Sequence, residues 1–185
     1  MSGPKTVIPE GKCGELRRRL FVGNGLNAYA VLDGASIPEL LPKLEEFAPE
    51  QVCLYRGELE PDLAECAPYL VQLEPDSPFT DFVLNEGWGK HWGIFALSSA
   101  DLASVRKHFR TFLMVKSPEG KKLYFRYYDP RVFRVYLPTC NAEEIAILFG
   151  PITSYLLEPE NPAALLKFSQ NQGLLLKETI SLEES

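Results

Sequence analysis

Helix starts of one kind recur along this chain. Ser36-Ile37-Pro38-Glu39, Glu60-Pro61, Ser77-Pro78, Asp129-Pro130 and Asn161-Pro162 each set a proline at or near a first helical turn. Proline is tolerated there because its missing N–H would have no partner, whereas inside a helix it breaks the ladder. Between these points lie compact apolar runs that read as strands: Asn27 to Asp33, Val52 to Tyr55, Tyr69 to Leu73, Ile94 to Leu97 and Phe112 to Lys116. The β-α-β-α-β rhythm predicts strands sharing a sheet with helices on its faces.

The helices follow from apolar spacing. Cys13 to Phe21 predicts a short helix with Leu16 and Leu20 on one face, broken by Gly23-Asn24-Gly25. Ser36 is read as a cap, with Glu39 completing a capping box ahead of Leu40, Leu41, Leu44 and Phe47. Ser77-Pro78 opens a helix with Phe79, Phe82 and Val83 inward and Gly87 as its stop. Ser98-x-x-Asp101 reads as a second capping box, before Leu102, Val105 and Phe109. Val132, Phe133, Tyr136 and Leu137 share a face after Pro130. Asn141-x-x-Glu144 caps a helix lined by Ile145, Leu148 and Phe149 and ended by Gly150-Pro151. A last helix is expected from Asn161 to about Phe168, and the tail from Gly173 to Ser185 docks, extends or frays. The fold class is α/β (α+β), with a mixed β-sheet, flanking helices and a helical C-terminal part. The expected segments are 1–26 (a loose start and short helix), 27–157 (the α/β domain) and 158–185 (helix and tail).

One stretch carries unusual chemistry. In Leu123 to Tyr128, Leu123, Phe125 and Tyr127 alternate with Tyr124, Arg126 and Tyr128, as in a strand buried on at least one side. Ser117-Pro118-Glu119-Gly120 supplies the turn that pairs it with Phe112 to Lys116. Asp129 then caps a helix with Pro130 in its first position. Arg126, Asp129 and Arg131 place three charges beside these rings, and such charges stay ionised only if paired or solvated. Two readings stand: a structural ion pair locking a strand–helix corner, which is the commoner use, and a partner-binding corner.

Composition excludes several functions. A formal net charge of -6 argues against general nucleic-acid binding, which needs clustered Lys and Arg. Arg17-Arg18-Arg19 is the only dense basic run, and it lies on the first helix. No apolar run approaches bilayer-spanning length, and Met1 to Gly11 lacks an export-signal pattern. Cys13, Cys53, Cys66 and Cys140 are widely spaced, as expected of reduced thiols in a cytoplasmic protein. No metal site and no cofactor motif is expected: there is no Cys-x-x-Cys pair, phosphate loop, dinucleotide fingerprint or nucleophile elbow.

The candidate reactive groups are few. His91 lies in the aromatic loop Trp88 to Gly93, and His108 near a helix end, where a cationic ring would suit the dipole. Asp33 ends a strand, where it serves as a turn cap or a catalytic carboxylate; Glu58, Glu60 and Asp62 are the other acids considered. Trp88, His91 and Trp92 are the best binding candidates on composition, because tryptophan is enriched at interface hot spots. The alternative is that both rings fill the core.

The run Phe125-Arg126-Tyr127-Tyr128-Asp129-Pro130-Arg131, followed by Phe149-Gly150-Pro151, resembles the signature of the bacterial type VI secretion adaptor family. Tyr29-Ala30-Val31-Leu32-Asp33-Gly34-Ala35, Ala67-Pro68-Tyr69-Leu70-Val71, Trp88-Gly89, Gly93 and His108-Phe109-Arg110 match in order, so the likeness runs from about Asn27 to about Leu157. These are Tap-like, chaperone-like proteins that hand toxic effectors to the spike protein (VgrG) of the secretion apparatus. The resemblance implies a non-catalytic bacterial cytoplasmic adaptor. Its partners would be a secreted effector and the spike, with no nucleic acid, membrane or cofactor. Arg126, Asp129 and Arg131 carry over from the motif, and the poorly matching tail beyond Leu157 is a candidate for effector specificity. Two other classes fit the residues: an immunity protein neutralising a toxin, and a small hydrolase or transferase using Asp33 or His91. The enzyme requires a pocket joining those residues.

Overall fold

In the run Asn-Ala-Tyr-Ala-Val-Leu-Asp, successive side chains point to opposite sides, and both sides are buried. Ala28, Ala30 and Leu32 enter one core and Tyr29 and Val31 a second. A strand covered on both faces lies inside a sheet. In the computed structural model, which describes residues 12–23 and 25–183, this strand, β1 (Asn27–Asp33), pairs with β3 (Pro68–Leu73) and β4 (Gly93–Ser98). With β2 (Gln51–Cys53), β7 (Ile152–Leu157), β8 (Ala164–Asn171) and β9 (Leu174–Ser181) they form a seven-stranded sheet of order β2-β3-β1-β4-β7-β8-β9.

Helices cover both faces. α1 (Lys12–Leu20), α2 (Leu40–Phe47) and α4 (Pro78–Gly87) pack Leu16, Leu20, Leu40, Leu44, Phe79 and Phe82 on the first face. α5 (Leu102–Arg110), α6 (Pro130–Tyr136) and α7 (Ala142–Phe149) bring Val105, Phe109, Phe133, Ile145 and Phe149 to the second. The short α3 (Pro61–Cys66) leads into β3 and buries no side chain. The basic run of α1 is used internally: Arg17 bonds the Pro75 carbonyl and Asp81, tying α1 to α4, while Arg18 and Arg19 pair with Glu15. Among the described residues, no helix is long and apolar enough to cross a membrane.

The α+β class, the sheet and its flanking helices are as the sequence implies. The caps at Ser77, Asp129 and Asn141 form, the last as a full capping box. Several details differ. The sheet is not mixed: every pairing is antiparallel. The C-terminal part is not helical. Asn161 caps a turn by accepting from the Ala163 N–H, and the next side chains alternate, Leu165 into the first core and Leu166 and Phe168 into the second. Gln172 (φ 49°) and Gly173 (φ 79°) then reverse the chain in a two-residue hairpin. The tail thus docks as edge strand β9.

The Leu123–Tyr128 strand is also cut short. β5 (Met114–Lys116) and β6 (Lys122–Tyr124) pair as expected, but as a separate, exposed two-stranded sheet. The ladder ends with the Phe125 N–H on the Leu113 carbonyl, and the Asp129 N–H turns back to the Arg126 carbonyl. Tyr127 and Tyr128, consecutive in sequence, are both buried. Tyr127 stacks on Phe109 at 5.5 Å and donates to its carbonyl. Val132 and Tyr136 are partly exposed, so only Phe133 and Leu137 of the expected face reach the core.

Two caps move. Ser36 Oγ donates to Asp33, and α2 begins at Leu40 without a side-chain cap. Ser98 is buried on the Pro151 carbonyl, and Asp101 alone caps α5. His108 differs too: burial drives its pKa below the usual value, although the Leu148 carbonyl 3.0 Å from Nε2 opposes this, so the ring is not a dipole-favoured cation. Its neighbour Gly150 (φ +46°) has no room for a side chain, as a Cβ there would lie 2.6 Å from the imidazole. The expected loose start, Met1 to Gly11, lies outside the described residues, as does Asn24 of the expected break.

Candidate functional site

Antiparallel pairing brings three chain positions to one end of the sheet: the end of β1 at Asp33, the start of β4 at Gly93 and the end of β7 at Leu157. The Asp33 N–H bonds the Trp92 carbonyl at 2.8 Å. The turn before α6 closes over this end, and four charged side chains meet there.

Asp33 is 2 % exposed at its side chain. It accepts from the Ala35 N–H at 3.2 Å, the Ser36 hydroxyl at 2.7 Å and Arg126 Nη2 at 2.6 Å. It is the turn cap of the sequence reading, and it is also the partner of Arg126. Asp129 lies 3.9 Å from the same guanidinium. Asp129 itself caps α6 through the Arg131 N–H at 2.9 Å and binds the Arg131 side chain twice, Nε at 3.0 Å and Nη2 at 2.8 Å. This two-point contact is the strong geometry for an arginine–carboxylate pair.

The titration directions agree with this geometry. Burial disfavours the Asp129 carboxylate, but the hydrogen bonds from Arg131 and the charges of Arg131 and Arg126 outweigh it and hold its pKa below the usual range. Burial also opposes the Arg126 cation, and Asp33 more than compensates, so its pKa is raised. Arg131 is raised by its bonds to Asp129. The acids are buried, while Arg126 and Arg131 are about half exposed, at 46 % and 53 %. The outer surface is therefore cationic, and each guanidinium is fixed from beneath.

The tryptophan loop sits beside this corner. Trp92 is buried against Phe82, and Gly87 makes room for its ring, since a Cβ would lie 2.5 Å from it. Trp88 is half-buried, stacked on Phe95 at 6.3 Å, with its indole N–H donating to the Pro162 carbonyl at 2.9 Å. Both rings pack on the first core.

His91 holds a left-handed backbone (φ 59°) and bonds Glu158 Oε2 through its own N–H at 3.1 Å. Its Nδ1 lies 2.8 Å from that oxygen but off the line of a hydrogen bond. Burial raises the Glu158 pKa, against the pull of the Gly89 and His91 N–H groups. His91 thus has the carboxylate that the hydrolase alternative required, but it is Glu158, and Asp33 is engaged by Arg126. Glu158 escaped the sequence reading because it follows the apolar β7 run with no motif around it. Asp33 was visible as a strand-end acid, but its pairing with a residue 93 positions away left no local signal.

The four cysteines carry free thiols. Among the described residues no cluster of three or more His, Cys, Asp or Glu side chains is placed to hold a metal ion. The model of the family described as Domain of unknown function (DUF4123) matches residues 28–146. No curated protein and no solved structure matches the chain.

Proposed function

The chain belongs to the DUF4123 family, and we propose that it is a non-catalytic adaptor that binds a type VI secretion effector and promotes its loading onto the spike protein. The observation that carries this reading is the family match over residues 28–146. It encloses the Phe125 to Arg131 motif by which the chain resembles the secretion adaptors. The corner suits a scaffold more than a reaction centre. Its buried acids are engaged by arginines, backbone N–H groups and a hydroxyl, and its outward groups are fixed donors. On this reading the protein works in the bacterial cytoplasm and remains there when the effector is fired.

The test is co-purification of the tagged protein from its native cell, with mass spectrometry of what stays bound and a toxicity assay of the recovered toxin. A toxin recovered with the spike, still active when bound, is the expected result. A toxin inhibited by the bound protein makes it an immunity protein instead. Recovery of neither toxin nor spike overturns the adaptor.

A further inference from the structure

We propose that the groove between the β2–α3 segment and the β5–β6 hairpin is a docking site for an acidic, amphipathic polypeptide segment. On the adaptor reading, on which this clause rests, that segment belongs to the cargo.

The groove has a volume of about 480 Å³, within the range of pockets that seat ligands and side-chain anchors. Leu54 and Leu113 are its buried lining, and Leu63, Met114 and Tyr124 open to solvent at 46 %, 42 % and 61 %. These residues form one patch, and contiguous exposed apolar surface marks an interaction site more often than scattered residues do. The hairpin forming one wall belongs to a sheet of only two strands.

The charges lining the groove have one sign. Among the described residues Arg56 and Arg110 line it, and no carboxylate does. Arg110 is held rigidly, with Nε on the Leu54 carbonyl at 3.0 Å and Nη2 on the Cys53 and Tyr55 carbonyls at 2.8 and 3.2 Å. Burial and the nearby charges of Arg106 and Arg56 all disfavour its cation, and a carboxylate brought into the groove would relieve that repulsion. The exposed hairpin carries Lys116, Lys121 and Lys122 and one acid, Glu119, all outside the lining. Glu58, Glu60, Asp62 and Glu65 are near in sequence and lie outside the lining. In a chain of net charge -6, the two arginines that line the groove select an anionic partner. The leucine and methionine walls select a polypeptide over a phosphate. Arg110 has already committed two of its nitrogens to carbonyls and lacks the free fork that bidentate phosphate recognition uses.

The probe is a fluorescein-labelled synthetic helix of about sixteen residues, with leucine at positions i, i+3, i+4 and i+7 and glutamate on the other face. Its controls are the same peptide with lysine for glutamate, and an oligothymidylate. Anisotropy should show saturable binding of the acidic peptide. Its affinity should be about tenfold or more above the lysine peptide, and R56E and L63S should each weaken it about tenfold while leaving the melting temperature unchanged. Equal binding of both peptides, no saturable binding, indifference to both substitutions, or tighter binding of the oligonucleotide overturns the site. Toxin recovery that survives R56E and L63S removes the cargo clause and leaves the adaptor reading. Peptide binding with neither toxin nor spike recovered supports the groove and removes the adaptor.

Discussion

The corner at the end of the sheet and the groove beside the hairpin both gather arginines next to aromatic rings, and they use them in opposite ways. At the corner each guanidinium closes on a buried carboxylate: Arg126 on Asp33, Arg131 on Asp129. At the groove Arg110 is satisfied by carbonyl oxygens and repelled by Arg56 and Arg106, and leucine, methionine and tyrosine side chains stand open around it. The first region is complete within the chain, and the second is complete only with something added. The charges of the conspicuous sequence motif therefore find their partners within the chain. The surface with unmatched chemistry is assembled from side chains scattered between Leu54 and Tyr124, of which Arg110 alone belongs to a landmark of the family resemblance.

The contrast breaks most easily at Arg126. In R126A the buried Asp33 keeps its N–H and hydroxyl donors but loses its cation, and a buried charge left alone is strongly destabilising. Because Arg126 is half exposed and water can enter in its place, the expected loss is about 2–3 kcal/mol by urea unfolding. A loss under about 0.5 kcal/mol would show that the corner is not a lock. D129A removes a cap and a two-point pair but leaves Arg131 facing solvent, so a smaller loss of about 1–2 kcal/mol is expected by the same measurement. If D129A costs more than R126A, the buried-acid account of the corner is inverted.

A pH scan probes a third point, behind the second core. His108 has a folded pKa below its ordinary value of 6.5. The unfolded chain therefore takes up a proton that the native state refuses, and stability falls as pH drops through about 6.5. Asp129, depressed from 3.8, adds its own loss only as pH falls below that value. H108Q, which keeps a donor toward Leu148, should flatten the melting temperature between pH 7 and 5.5 and leave the lower limb intact. An unchanged slope would assign the decline elsewhere. At the groove the smallest effect is expected: L63S and Y124S each alter unfolding free energy by no more than about 0.5 kcal/mol. A larger loss would make those side chains part of the core and the groove no free surface.

The sequence carried the elements well where the signal was local. The β1 run, the Glu60-Pro61 and Asp129-Pro130 starts and the Asn141 to Glu144 capping box form as expected, because a helix start is decided within about four residues. It misled where a local signal was ambiguous. Asn161-Pro162 opens a turn as readily as a helix, and the alternation of Leu165, Leu166 and Phe168 between two cores makes the segment a strand. The aromatic alternation of Leu123 to Tyr128 stops at Tyr124, because the tight turn required by the Asp129 cap sends Tyr127 and Tyr128 both inward. At the site, Arg126, Asp129 and Arg131 were legible as charges needing partners. Trp92 was legible as a ring that either met a partner or filled the core, and its burial against Phe82 takes the second course.

The chain alone determined where helices begin, which side chains must be covered, and that charged groups stood among rings, since these depend on neighbours a few residues apart. Tertiary structure decided that Arg126 answers Asp33 and that His91 faces Glu158. It also decided that Leu54, Arg110 and Tyr124 border one groove. Those pairings follow from which strand ends an antiparallel sheet brings together, and side chains many residues apart have no local pattern by which to find each other.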